Sequence, residues 1–119
     1  IMSAEYIMAA GNENVILCER GIRLLKLIPE THWIAEHPCS EEKTHLPVII
    51  DPSHAGGKWW LVEPMAKASV AAGADGLMIE VHNDPECALC DGAQSLKPEK
   101  YAALLAQIGQ IAQVVGKQV

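Results

Sequence analysis

"HLPVIIDPSHAGGKWWLVEPMAKASVAAGADGLMIEVH", residues 45–82, carries the fold. Leu46 to Asp51 is a short apolar run of the kind shown by a parallel strand buried on both faces, and Gly76 to His82 repeats it. Between them, "WWLVEPMAKASVAAGAD" is rich in Ala, Leu, Met and Lys, which favour a helix, and Gly73 suits its end. Strand, helix and strand in that order imply parallel pairing through a right-handed crossover.

The same alternation continues in both directions. Upstream, Val15 to Glu19 ("VILCE") reads as another buried strand, preceded by a helix over Ser3 to Ala10 that stops at Gly11 and Asn12. Downstream, "KPEKYAALLAQIGQIAQVVG" sets Tyr101, Leu104, Leu105, Ile108, Ile111, Ala112 and Val115 at three and four spacing, with Pro98 in the first turn. That is an amphipathic helix.

The class is therefore α/β, with either an open doubly wound sheet or a closed barrel. Three strands complete neither. The reactive residues choose between them: "ER" closes the first strand, "DPSH" the second and "EVHND" the third. All fall at C-terminal strand ends, where a TIM (β/α)8 barrel keeps its active site. The expectation is a partial TIM barrel of about three strand–helix units, with residues 1–119 forming part of a single domain. "SAEYIMAAGNENVILCERG" reads as a helix end running into a strand, so the chain is expected to open in mid-motif.

Composition narrows the function. Half of the 119 residues are hydrophobic, enough for one core. A net charge of −6 argues against nucleic acid, which needs concentrated Lys and Arg. No apolar run approaches the roughly 20 residues of a membrane span, and no basic-then-apolar leader opens the chain, so a cytoplasmic location is expected. Cys18, Cys39, Cys87 and Cys90 are then expected to be reduced.

His54, Glu80 and Asp91 come from the ends of different strands and can converge on one divalent cation. A mixed nitrogen and oxygen set suits manganese, iron or zinc better than calcium; the competing reading of His54 is a hydrogen-bonded structural residue. Arg20 projects over the same mouth, where it can hold a phosphate or carboxylate, or else pair with Glu19 or another acid. Gly56, Gly57 and Lys58 can offer backbone amides to an anion or form a turn. Cys87 and Cys90 have the spacing of half a zinc knuckle or of a redox dithiol, without a second pair to complete a zinc site. Trp59 and Trp60 can line the pocket or pack on a neighbouring subunit.

Taken together, "GNENVILCERGIR", "HLPVIIDPSHAGGKWWLVEPMAKASVAAGADGLMIEVHNDPE" and "DGAQSLKPEKY" closely resemble the C-terminal part of DAHP synthase of the type I-beta class. The resemblance implies a (β/α)8 barrel that condenses phosphoenolpyruvate with erythrose 4-phosphate, the first step of the shikimate pathway. A related enzyme, 3-deoxy-manno-octulosonate 8-phosphate synthase, shares the "CERG" element and is the alternative substrate class. His54, Glu80 and Asp91 are implied as metal ligands, with His54 also catalytic. Arg20 is implied as a catalytic and substrate-binding grip on the phosphate of phosphoenolpyruvate, and Asp51 as a substrate-binding residue.

The family's fourth ligand, a cysteine, and its "KPRTS" and "KRG" segments lie upstream of this chain. About the sixth, seventh and eighth strands are thus expected here, inactive alone, with an open sheet flank that makes a homo-oligomer or aggregation the expectation. The alternative is a non-catalytic metal-binding or oligomerising half-barrel remnant.

Residues 24–43 depart from the family. Where it has a stretch like "TFETYTRNTLDLSAVPVLKK", this chain has "LLKLIPETHWIAEHPCSEEK". Dropping the first base of codons for T-F-E-T-Y-T-R-N-T-L-D permits Leu24 to Ile34 in order, so a frame shift is expected, with genuine divergence as its rival. On that reading His32, His37 and Cys39 are not ligands.

Overall fold

The computed structural model describes residues 2–21 and 44–117. The expectation for residues 24–43 lies outside them. Three strands, β1 (Leu17–Glu19), β2 (Val48–Ile50) and β3 (Gly76–Leu77), form a parallel sheet in the order β1-β2-β3. Leu17 pairs with Val48, Cys18 with Ile49 and Glu19 with Ile50, while Ile49 and Ile50 face Gly76 and Leu77.

The strands are shorter than the apolar runs predict, and β2 sets the limit. At its start Pro47 has no N–H, although its carbonyl still accepts from the Leu17 amide. At its end Asp51 turns the chain into a helix, so pairing of the third run stops once the Met78 amide has donated to Ile50. The third run stays useful beyond that point, because Val81 bridges to Leu96 and the Leu96 amide donates to the Glu80 carbonyl at 2.9 Å.

Four helices accompany the sheet in the described residues: α1 (Met2–Ala9), α2 (Pro52–Gly56), α3 (Trp59–Ala71) and α4 (Pro98–Val114). Gly11, at φ 97°, ends α1, and Gly73, at φ 103°, follows α3, both where the sequence places a stop. The short α2 was not legible from periodicity. Asp51 caps it by accepting from the His54 amide, Pro52 opens it, and Gly57 closes it in the left-handed region at φ 63°. The Gly56–Lys58 segment is thus a helix-ending turn.

The core lies between the helices and one face of the sheet. Val62, Ala66 and Val70 of α3 meet Leu104, Ile108 and Ala112 of α4, with Leu96 among them, and Ile50 packs with Met65 and Ala74. Leu105 and Val115 of the predicted stripe lie at its margins, 39% and 37% exposed. Alternation turns Cys18, Ile49, Gly76 and Met78 to the other face, which is open: Ile16 is 61% and Met78 45% exposed. Two residues on from Cys18, Ile49 and Met78 come Arg20, Asp51 and Glu80. No helix of the described residues is long and apolar enough to cross a membrane.

Candidate metal centre

His54 rides on α2 and cannot swing freely, because Asp51 holds it twice. One Asp51 carboxylate oxygen accepts from the His54 backbone amide at 3.0 Å, and the other lies 2.7 Å from His54 Nδ1. An Nδ1–H donated to a carboxylate leaves the Nε2 lone pair directed outward. The same Asp51 oxygen is 3.2 Å from Arg20 Nε, so one carboxylate with no exposed surface anchors both an imidazole and a guanidinium.

Arg20 is thereby ion-paired with Asp51, not with Glu19, whose side chain accepts from the Gly21 amide instead. Its side chain remains 53% exposed, and the Asp51 contact is made by Nε. Pairing and anion binding, offered as alternatives by the sequence, are compatible here.

Glu80 is fixed from two sides. Its backbone amide donates to Ser53 Oγ at 3.0 Å, and Gln94 Nε2 donates to its Oε2 at 2.9 Å. That leaves Oε1, which lies 3.3 Å from His54 Nε2. Asp91 completes the group: one ligand atom each from His54, Glu80 and Asp91 falls within 4.8 Å of the others.

Asp91 sits in the left-handed region at φ 55°, alone among the described non-glycine residues. Its carbonyl accepts from the Gln94 amide and from Ser95 Oγ. Gly92 is required after it, since a Cβ there would lie 2.1 Å from the Pro85 carbonyl oxygen.

This donor set fits a divalent ion. In the tautomer whose Nδ1–H donates to Asp51, Nε2 presents its lone pair toward Glu80 Oε1, and a cation between them would relieve that approach. Adjacent ligands of a metal bound at about 2.1 Å lie about 3 Å apart, close to the observed His54–Glu80 separation.

Sequence reasoning missed Ser53 and Gln94. Both stand inside quoted motifs, "DPSH" and "DGAQSL", but their bonds to Glu80 span 27 and 14 residues, which no periodic pattern encodes.

The other candidates lie apart. Cys18, Cys87 and Cys90 are free and exposed, and among the described residues none joins a group of three metal donors. Partial burial and then the Asp51 carboxylate push the Cys18 thiol up, against the opposing pull of Arg20. Trp59 and Trp60 stack edge to face, with Lys100 Nζ 3.5 Å from the Trp59 ring centre. They line a cavity of about 230 Å³ with Glu63, Pro64, Leu96, Lys100 and Leu104, to which no residue of the triad contributes.

Residues 1–116 match the family model described as DAHP synthetase I family. The chain belongs to that family. It is 44% identical over 120 residues to the phospho-2-dehydro-3-deoxyheptonate aldolase of Thermotoga maritima, a match covering 100% of this chain and 36% of that protein.

A truncated form of 3-deoxy-D-arabino-heptulosonate 7-phosphate synthase from Thermotoga maritima superimposes with a TM-score of 0.90 at 44% identity, over 99% of this chain and 45% of the other. The 2-dehydro-3-deoxyphosphooctonate aldolase of Desulfosudis oleivorans is more distant, 37% identical over 127 residues, covering 96% of this chain and 44% of that protein. The chain thus spans less than half the length of the relatives it matches. Membership agrees with the motif resemblance, and the higher identity to the Thermotoga enzyme favours the DAHP synthase side over the octulosonate relative.

Proposed function

We propose that this chain supplies the C-terminal strand–helix units of a (β/α)8 barrel and, with them, part of a metal-dependent site for condensing phosphoenolpyruvate with erythrose 4-phosphate. The observation that carries the reading is the convergence of His54, Glu80 and Asp91 beside an Arg20 held by the same Asp51 that holds His54. The open face of the sheet, and its ending at β1 and β3 among the described residues, suit the remaining strands of such a barrel.

His54 Nε2, Glu80 Oε1 and an Asp91 oxygen would hold the divalent ion; manganese, iron and zinc all accept such donors. When bound, it would polarise the aldehyde oxygen of erythrose 4-phosphate. The residues of this chain do the positioning. Asp51 keeps Nδ1 of His54 protonated and Nε2 available, and it aims Arg20 so that the terminal guanidinium nitrogens can grip the phosphate of phosphoenolpyruvate. Asp51 therefore serves substrate through Arg20, from a buried position, and not by touching it. Held in this way, the enol-ether carbon of phosphoenolpyruvate can attack the aldehyde carbon, after which water adds and phosphate leaves.

The test is a chimaera in which residues 44–117 replace the matching segment of the Thermotoga enzyme. Condensation of phosphoenolpyruvate with erythrose 4-phosphate that disappears on His54→Gln supports the reading. A folded, metal-loaded chimaera without condensation overturns it and favours a non-catalytic metal-binding remnant.

A further inference from the structure

The segment that presents Asp91 also governs Glu80. Asp91 precedes a 3-10 turn (Gly92–Gln94) that Gln94 ends, and the Gln94 backbone amide donates to the Asp91 carbonyl at 3.2 Å. Helices α2 and α3 pack against this turn. One residue of the segment is thus a candidate ligand, and another reaches a second candidate ligand 14 residues away, with Gln94 Nε2 donating to Glu80 Oε2 at 2.9 Å.

The Gln94 amide is a fixed donor. Its residue is only 8% exposed and belongs to a packed turn, so the group can neither follow a moving partner nor turn to solvent. Charge sets its orientation: reversed, the amide would place its own carbonyl oxygen against the Glu80 carboxylate.

The two oxygens of Glu80 therefore have different tasks. Oε1 lies 3.3 Å from His54 Nε2, on the side of the triad, whereas Oε2 is held by Gln94. For both oxygens to serve one ion the carboxylate must rotate, and rotation that withdraws Oε2 leaves a buried N–H unsatisfied. That restriction separates classes of cation. Calcium takes roughly six to eight oxygens and often draws both from one carboxylate, whereas manganese, iron and zinc accept smaller sets with imidazole among them.

We propose that Gln94 sets metal selectivity: by holding Oε2 it confines Glu80 to ligation through one oxygen and so disfavours calcium against transition-metal ions. This inference rests on the metal-dependent function proposed above and deepens it. Gln94 is a positioning residue, acting on the ion through Glu80. The His54 nitrogen already disfavours calcium by its chemistry, and Gln94 adds a geometric restriction that the ligand set alone does not contain.

The experiment measures Mn²⁺ and Ca²⁺ affinities by calorimetry for the unaltered chain, Gln94→Leu and Gln94→Met, with circular dichroism to establish that each is folded. Both substitutions remove the donor, and Gln94→Met keeps the length of the side chain should Gln94→Leu fail to fold. The expected result is Mn²⁺ binding that weakens a few-fold, Ca²⁺ binding that strengthens, and a Mn²⁺-to-Ca²⁺ affinity ratio about tenfold smaller than in the unaltered chain.

The ratio is the informative quantity, because a merely structural role for Gln94 lowers both affinities together. An unchanged ratio in a folded variant that still binds Mn²⁺ overturns the proposal and leaves the metal centre standing. Failure of the unaltered chain to bind Mn²⁺ overturns the metal reading itself, and the selectivity role with it.

Discussion

Asp51 is the residue on which the site turns, since one buried carboxylate contacts the His54 amide, His54 Nδ1 and Arg20 Nε. Asp51→Asn is nearly the same size but lacks the charge, and its amide can present a donor toward the imidazole. The expected outcome is a divalent-metal affinity about 10- to 100-fold weaker, by calorimetry, with a smaller loss for Gln94→Leu, which frees only one oxygen of Glu80. Unchanged metal affinity in Asp51→Asn would remove Asp51 from the centre. Cys18 gives a pH readout. Its thiol is held above its ordinary value, so below its folded-state pKa it stays protonated where a free thiol has begun to ionise. Near pH 8.5, the midpoint for about half of an unperturbed thiol population, alkylation of Cys18 should run slower than that of a free cysteine, and denaturant should abolish the difference.

At the scale of elements, the strand–helix–strand reading of residues 45–82 was legible because each element has its own period and its own stop. Apolar runs gave the strands, Gly73 marked the end of α3, and Pro98 opened α4. The helix α2 was not, because five residues make little more than one turn and its evidence is a cap, not a repeat. The His54, Glu80 and Asp91 set was foreseeable from its place at strand ends, whereas Ser53 and Gln94 act through bonds that the folded chain alone brings together. The loop that presents Asp91 depends on a contact equally invisible in sequence. Gly92→Ala would place a methyl group against the Pro85 carbonyl oxygen, so the loop must open. The expected result is weakened metal binding with the core intact, read as a loss of Mn²⁺ affinity beside a nearly unchanged far-ultraviolet circular dichroism spectrum. By contrast, Ile50→Ala in the fully buried centre of the sheet should cost about 2–5 kcal/mol and lower the unfolding midpoint directly.

For the whole molecule, the sheet and the candidate metal centre are one mechanical system. β2 runs without interruption into the Asp51 cap and α2, so His54 is rigid only while Ile50 stays paired with Glu19 and Leu77. Glu80 in turn is tied to α2 through Ser53 and to the loop beyond through Gln94. A cation joining His54, Glu80 and Asp91 therefore ties three separate chain segments together, and it does so on the side of the sheet that the helices leave open. Ligand binding to the folded state alone raises stability by about 2.7 kcal/mol when free metal reaches one hundred times its dissociation constant. Thermal unfolding with Mn²⁺ at that excess should accordingly show a higher midpoint than in EDTA, and the increment should vanish in His54→Gln. Equal increments in both proteins would mean that the metal acts elsewhere. An absent increment, with calorimetric binding still present, would mean that the ion also binds the unfolded chain and that the three segments are not clamped by it.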